Sequence, residues 1–133
     1  MKVSKQLIDN IFIQGRAEAP VEACGVLAGK DTTAVKLFPM KNIDQSSEHF
    51  TLDPKEQFDV IRRARQEGLD ILAVYHTHPE TPARPSWEDI RLAYEPNIIY
   101  VIASLAHGTQ SIKAFRIVGG EVKEEQLIIE ESV

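Results

Sequence analysis

Ile71-Leu72-Ala73-Val74-Tyr75-His76-Thr77-His78-Pro79, followed after a short loop by Pro85-Ser86-Trp87-Glu88-Asp89, decides how this chain is read. The first five residues are an apolar run of the length of a buried strand. Alternate residues of a strand share a face and lie ~6.6 Å apart. His76 and His78 therefore project together, with Thr77 on the opposite face. Pro79 has no amide proton and ends the ladder. Ser86 reads as a helix N-cap, which puts Asp89 in the first helical turn. A loop that folds this turn over the strand end brings a carboxylate to two imidazoles. Two neutral nitrogens and one carboxylate make a three-ligand zinc site whose fourth position is open to water. Each half of the pattern has a plainer meaning alone: a strand-end His-x-His as a structural pair, Ser-x-x-Asp as ordinary capping. The joint pattern is far more specific.

His76-Thr77-His78-Pro79 with Ser86 and Asp89 resembles the signature of the JAMM zinc metallopeptidases, also called MPN+ domains. The second part of that signature is an upstream Glu followed by spaced glycines, here Glu22-Ala23-Cys24-Gly25-Val26-Leu27-Ala28-Gly29. The resemblance runs from the first helix to the last hairpin. It implies that His76, His78 and Asp89 hold one zinc ion per chain, that Glu22 is the general base, and that Ser86 supports the oxyanion. Every catalytic position is filled, unlike the metal-free branch used as scaffolds. The implied fold is α/β, a curved mixed sheet with helices packed against it, related in architecture to cytidine deaminase. The implied activity is hydrolysis of a peptide or isopeptide bond after the C-terminal tail of a ubiquitin-like protein. Eukaryotic deubiquitinases of the family carry insertions that grip ubiquitin. The short connection from Leu105 to Gln110 looks instead like the compact prokaryotic members, which are linked to small ubiquitin-like sulfur carriers.

A chain of 133 residues suits one domain with a real core, taken here as residues 1–133. No apolar run approaches the ~20 residues of a membrane helix, and the N-terminus lacks a signal-peptide core. Net charge is −5 without a dense Lys/Arg cluster, which disfavours nucleic acid as a partner. The single cysteine allows no internal disulfide, and the cytoplasm is the simple expectation. Oligomeric state is not legible.

Outward from the central stretch, Ser4 caps a first helix to about Glu18, with Leu7, Ile8, Ile11 and Phe12 as its buried stripe. Residues 22–28 read as a strand. Without the downstream motif, Glu22 is a solvated strand end. With it, Glu22 takes a proton from the zinc water and later hands it to the leaving amine. Burial raises such a pKa toward the operating pH. Cys24 shares Glu22's face; it is a small buried filler or, more rarely, a redox-sensitive thiol near the metal. A second strand runs from Ala34 to Phe38, stopped by Pro39. Residues 42–48 are polar loop, and His49 reads as an isolated surface residue. Asp53-Pro54-Lys55-Glu56 opens a helix. Its expected buried face is Phe58, Ile61 and Ala64, and Gly68 ends it. Pro82 and Pro85 stiffen the loop before Ser86. Trp87 is expected to pack beside the site or under the short helix, which Pro96-Asn97 ends. A strand over 98–104, a turn carrying His107, and a hairpin around Gly119-Gly120 complete the chain.

Two rival classes have their own signatures. A zinc nucleoside deaminase needs His-x-Glu and Pro-Cys-x-x-Cys, and one cysteine cannot supply them. A non-catalytic MPN-type scaffold or a DNA-repair-associated relative shares the fold, and the latter a similar His-x-His-Pro and Ser-x-x-Asp stretch. The intact Glu22 segment and the acidic charge speak against both.

Overall fold

The computed structural model describes residues 1–93, 95–106 and 110–131. The expected turn at His107 lies outside the described residues. In chain order the elements are β1 (Lys2–Ser4), α1 (Lys5–Glu18), β2 (Cys24–Lys30), β3 (Thr33–Met40), α2 (Pro54–Gln66), β4 (Asp70–His78), α3 (Trp87–Leu92), β5 (Ile99–Ser104), β6 (Ser111–Val118), β7 (Glu121–Glu125) and β8 (Ile128–Glu130). They form one mixed sheet in the order β7-β6-β5-β4-β2-β3-β1-β8. β4 lies at its centre, antiparallel to β2 and parallel to β5.

Strand alternation divides the core between the two faces. Leu27, Ala73, Tyr75, Val101 and Ala103 pack with Ile8, Ile11 and Phe12 of α1. Val26, Ala28 and Phe38 pack with Val60 and Ala64 of α2. Ile102 and Ile117 cluster with Ala83, and Ile90 of α3 packs against them. By the same alternation, Thr77 faces α1 and the two histidines face α2 and α3. Gly25 pairs with Tyr75, and a side chain there would collide with the Tyr75 ring and the Phe38 carbonyl. Glycine is what lets that ring lie across the strand. The Tyr75 hydroxyl donates to Gln14 Oε1, and Gln14 Nε2 donates to the Cys24 carbonyl, so α1 is lashed to β2 and β4.

Both long helices start as expected. Ser4 Oγ accepts from the Leu7 amide and the Asp53 side chain from the Lys55 amide. Glu56 turns away from its cap and accepts from the Lys41 amide. Other expectations need correction. Pro39 lies inside β3, because beyond Thr33 the side of β3 away from β2 has no partner among the described strands, and an edge tolerates a missing N–H. The inward stripe of α2 is Val60 and Ala64, one turn apart, which leaves Phe58 72% exposed. Trp87 is 88% exposed at the start of α3, whose packed residue is Ile90. α3 ends at Leu92, short of Pro96. Residues 22–23 precede β2. The Gly119-Gly120 turn has both residues at positive φ, as a type I′ turn requires. The strand after it stops at Glu125, and β8 crosses to pair in parallel with β1 at the far edge of the sheet. No helix among the described residues is long and apolar enough to cross a membrane.

Candidate metal centre

The end of β4 delivers His76 and His78, both almost fully buried. Their Nε2 atoms lie 3.1 Å apart, and Asp89 Oδ2 lies 3.1 Å from each. Among the described residues this is the one group of three metal-binding side chains with converging donor atoms. Three ligands about 2.0–2.1 Å from a tetrahedral ion stand about 3.3 Å from one another, so the triangle already has the size of a coordination face. Three donor atoms packed this closely, with at most one or two protons to share, are matched better by a cation than by one another. The residues fit a metal ion.

Asp89 is held by a complete capping box. Its Oδ2 accepts from the Ser86 amide at 2.9 Å, and its own amide donates to Ser86 Oγ at 3.1 Å. The cap thus fixes the carboxylate as well as starting α3. The Ser86 hydroxyl spends a lone pair on Asp89 and keeps its proton to donate elsewhere. The connecting loop is tied down twice: His78 Nδ1 lies 2.8 Å from the Pro82 carbonyl, and Ser104 Oγ donates to the Thr81 carbonyl at 2.7 Å. The Pro82 contact sets Nδ1 of His78 as the protonated nitrogen and leaves Nε2 free to bind. His76 Nδ1 has no partner and is buried, and the Phe50 ring stacks on its imidazole with centroids 4.6 Å apart.

Electrostatics follow from burial and proximity. Burial holds His76 below the ordinary histidine range, against the pull of Asp89. Burial opposes the charged form of His78 as well, but the bonds to Asp89 and Pro82 outweigh it and raise its pKa. Desolvation would raise Asp89, yet the two histidines and the Ser86 amide hold it well below the usual carboxylate range. Glu22 is 2% exposed and its Oε1 has no partner. Burial pushes its pKa up to about 8, with His78 pulling down and Asp89 pushing up. Glu22 is therefore not the solvated strand end that its position alone suggests. Cys24 is fully buried, burial pushes its pKa up to about 12, and its Sγ faces the Met40 carbonyl at 3.7 Å. That is a filler's environment, with no thiolate to react. His49 pairs with Asp44 and lines a cavity of about 530 Å³ that opens against His76 and Asp89, so it is less isolated than expected.

The family follows from the whole chain. Residues 4–118 match the family described as prokaryotic homologs of the JAB domain. The chain belongs to this family. It is the JAMM/MPN group that the paired motifs resemble, in its prokaryotic form. As a JAB-domain protein it is 33% identical over 132 residues to the CysO-cysteine peptidase of Mycobacterium tuberculosis, covering 97% of this chain and 90% of that one. It is 34% identical over 105 residues to the probable TtuB-protein conjugate cleaving protease of Thermus thermophilus, covering 78% and 67%. Among solved structures, protein DSY2949 of Desulfitobacterium hafniense superposes with a TM-score of 0.91 at 38% identity, covering 99% of this chain and 94% of that one. Two parts of this JAB site are not visible in the sequence: the Pro82 carbonyl behind His78, and the Phe50 ring stacked on His76. Nothing in residue spacing marks a carbonyl or a ring brought in by a distant loop.

Proposed function

We propose that this JAB-domain protein is a zinc-dependent hydrolase that cuts an amide bond after the C-terminal tail of a small ubiquitin-like carrier protein. One observation carries the reading: three converging donor atoms beside a buried carboxylate that has no other partner. His76, His78 and Asp89 would hold one zinc ion. Bound there, zinc supplies Lewis acidity, polarising the scissile carbonyl and making a water acidic at neutral pH. Glu22 takes the proton of the attacking water at its carboxylate and delivers it to the departing nitrogen. A pKa lifted by burial suits both halves of that task. Ser86 donates its hydroxyl proton to the carbonyl oxygen as that atom gains charge. The substrate class is supported by the names of two relatives, the mycobacterial CysO-cysteine peptidase and the probable TtuB-protein conjugate cleaving protease of Thermus thermophilus. The small number of residues between Ser104 of β5 and Ser111 of β6 accords with a small carrier. We assign the activity to one domain acting in the cytoplasm, where a buried free thiol persists.

The test uses a ubiquitin-like sulfur carrier bearing one residue or a short peptide after its terminal glycines. Mass spectrometry follows loss of the extension, and zinc is assayed on the same samples. Wild type trims the carrier; Glu22→Gln, at equal zinc, leaves it full length. Equal trimming by both removes Glu22 from the chemistry. Failure of wild type on every ubiquitin-like tail rejects the substrate class.

A further inference from the structure

Glu22 is a base that nothing holds by its working end. Its Oε1 has no partner, and the residue lies ahead of β2, outside the sheet ladder. Its orientation is inherited from its backbone. Both backbone polar groups of Glu22 are bound by a single segment: the amide donates to the Ser46 carbonyl at 2.8 Å, and the carbonyl accepts from Asn42 Nδ2 at 3.0 Å. Asn42 is 1% exposed. Its amide also donates to the His49 carbonyl at 3.0 Å, and its Oδ1 accepts from the Asp44 amide at 3.1 Å and the Thr51 amide at 3.2 Å. Both donors and both lone pairs of the side chain are thus in use. The His49 carbonyl and the Thr51 amide flank Phe50, whose ring stacks on His76. One buried amide therefore ties the backbone of the base to the backbone on both sides of the ring that backs a metal-binding histidine.

We propose that Asn42 is a positioning residue, which sets the Glu22 carboxylate and the Phe50 ring in one frame about the His76–His78–Asp89 triad. This rests on the reading of Glu22 as the proton acceptor. A fully satisfied buried polar hub is rigid, and each severed bond leaves a buried carbonyl or amide without a partner. A misplacement of about 1 Å at a reacting group costs on the order of 10²-fold in rate.

Asn42→Ser is the first variant. A serine hydroxyl still reaches the amide two residues on and preserves the local turn, but it is too short to bridge Glu22 and His49. The isosteric Asn42→Asp is the second, and carries the test if the serine variant loses its cooperative melt. It keeps the acceptor half and puts an oxygen where the amide donates. Each variant is expected to fold, bind zinc one to one by elemental analysis, and lose roughly 10²-fold in kcat with KM little changed. In metal-free protein, NMR should show the His76 ring resonances moving as Phe50 leaves its stack. In a Glu22→Gln background the same substitution should cost no further rate, because it acts through Glu22. Full kcat in both Asn42 variants, an unchanged His76 spectrum, or an undiminished loss in the Glu22→Gln background overturns the proposal. The functional reading fails in a different way: there Glu22→Gln itself turns over like wild type, and the proposal falls with it.

Discussion

Replacing Glu22 with glutamine should change how the stability of the metal-free protein depends on pH. In the unfolded chain Glu22 loses its proton near 4.5, whereas in the folded protein burial keeps the proton on to about 8. Between those values the native state binds the extra proton, so stability falls as pH rises. The contribution is fully present below about 4.5 and gone above about 8. A tenfold change in proton affinity is worth about 1.4 kcal/mol, so the rise from 4.5 to about 8 is worth at most about 5 kcal/mol. Relaxation of the site and water entry bring the expected figure to roughly 2–5 kcal/mol. For a chain of this length that is roughly 7–18 °C in Tm. Glutamine does not titrate, and the other groups of the site are common to both proteins. The measurement is thermal melting of chelator-treated wild type and Glu22→Gln between pH 4.5 and 9. The Tm of the variant should gain on that of wild type steadily up to about pH 8 and then run parallel. Curves that stay parallel throughout would show that Glu22 ionises freely in the folded protein and is not the buried carboxylate described above.

His76→Ala and Asp89→Ala should each empty the metal site, since three protein ligands are the usual minimum for a catalytic zinc; elemental analysis of protein purified without chelator decides it. Ser86→Ala should retain zinc, lose roughly 10²–10³-fold in turnover with the oxyanion donor, and lose about 1 kcal/mol of stability with the cap. A fall in Tm with no fall in rate would leave Ser86 as a helix cap alone.

The parts of the fold that sequence revealed are those governed by local chemistry. Ser4 and Asp53-Pro54 are caps whose side chains or fixed φ act within a turn, and the apolar run before His76 has strand length and a terminating proline. The site was legible for the same reason, because strand period and capping geometry bring His76, His78 and Asp89 together with little help from the rest of the chain. What escaped depends on distant neighbours. β1 and β8 are three residues each and exist only through their strand partners at the sheet edge, β1 between β3 and β8, and β8 against β1. Pro39 sits in a strand because that side of β3 is unpaired there. Phe58 and Ile61 satisfy helical periodicity as well as Val60 does, and only the position of α2 on the sheet chooses between them. Asn42 looked like one polar residue in a polar loop, and its role comes from backbone groups up to 20 residues away in the chain.

The central claim is that a metal held by His76, His78 and Asp89 drives cleavage after a ubiquitin-like tail. The most direct measurement is mass spectrometry of an extended carrier incubated with the purified protein, the same protein stripped by chelator, and the stripped protein given one equivalent of zinc. The account predicts trimming, no trimming, and trimming restored, with no restoration for His76→Ala. Trimming that survives complete removal of metal, or that zinc restores equally well in His76→Ala, would contradict it.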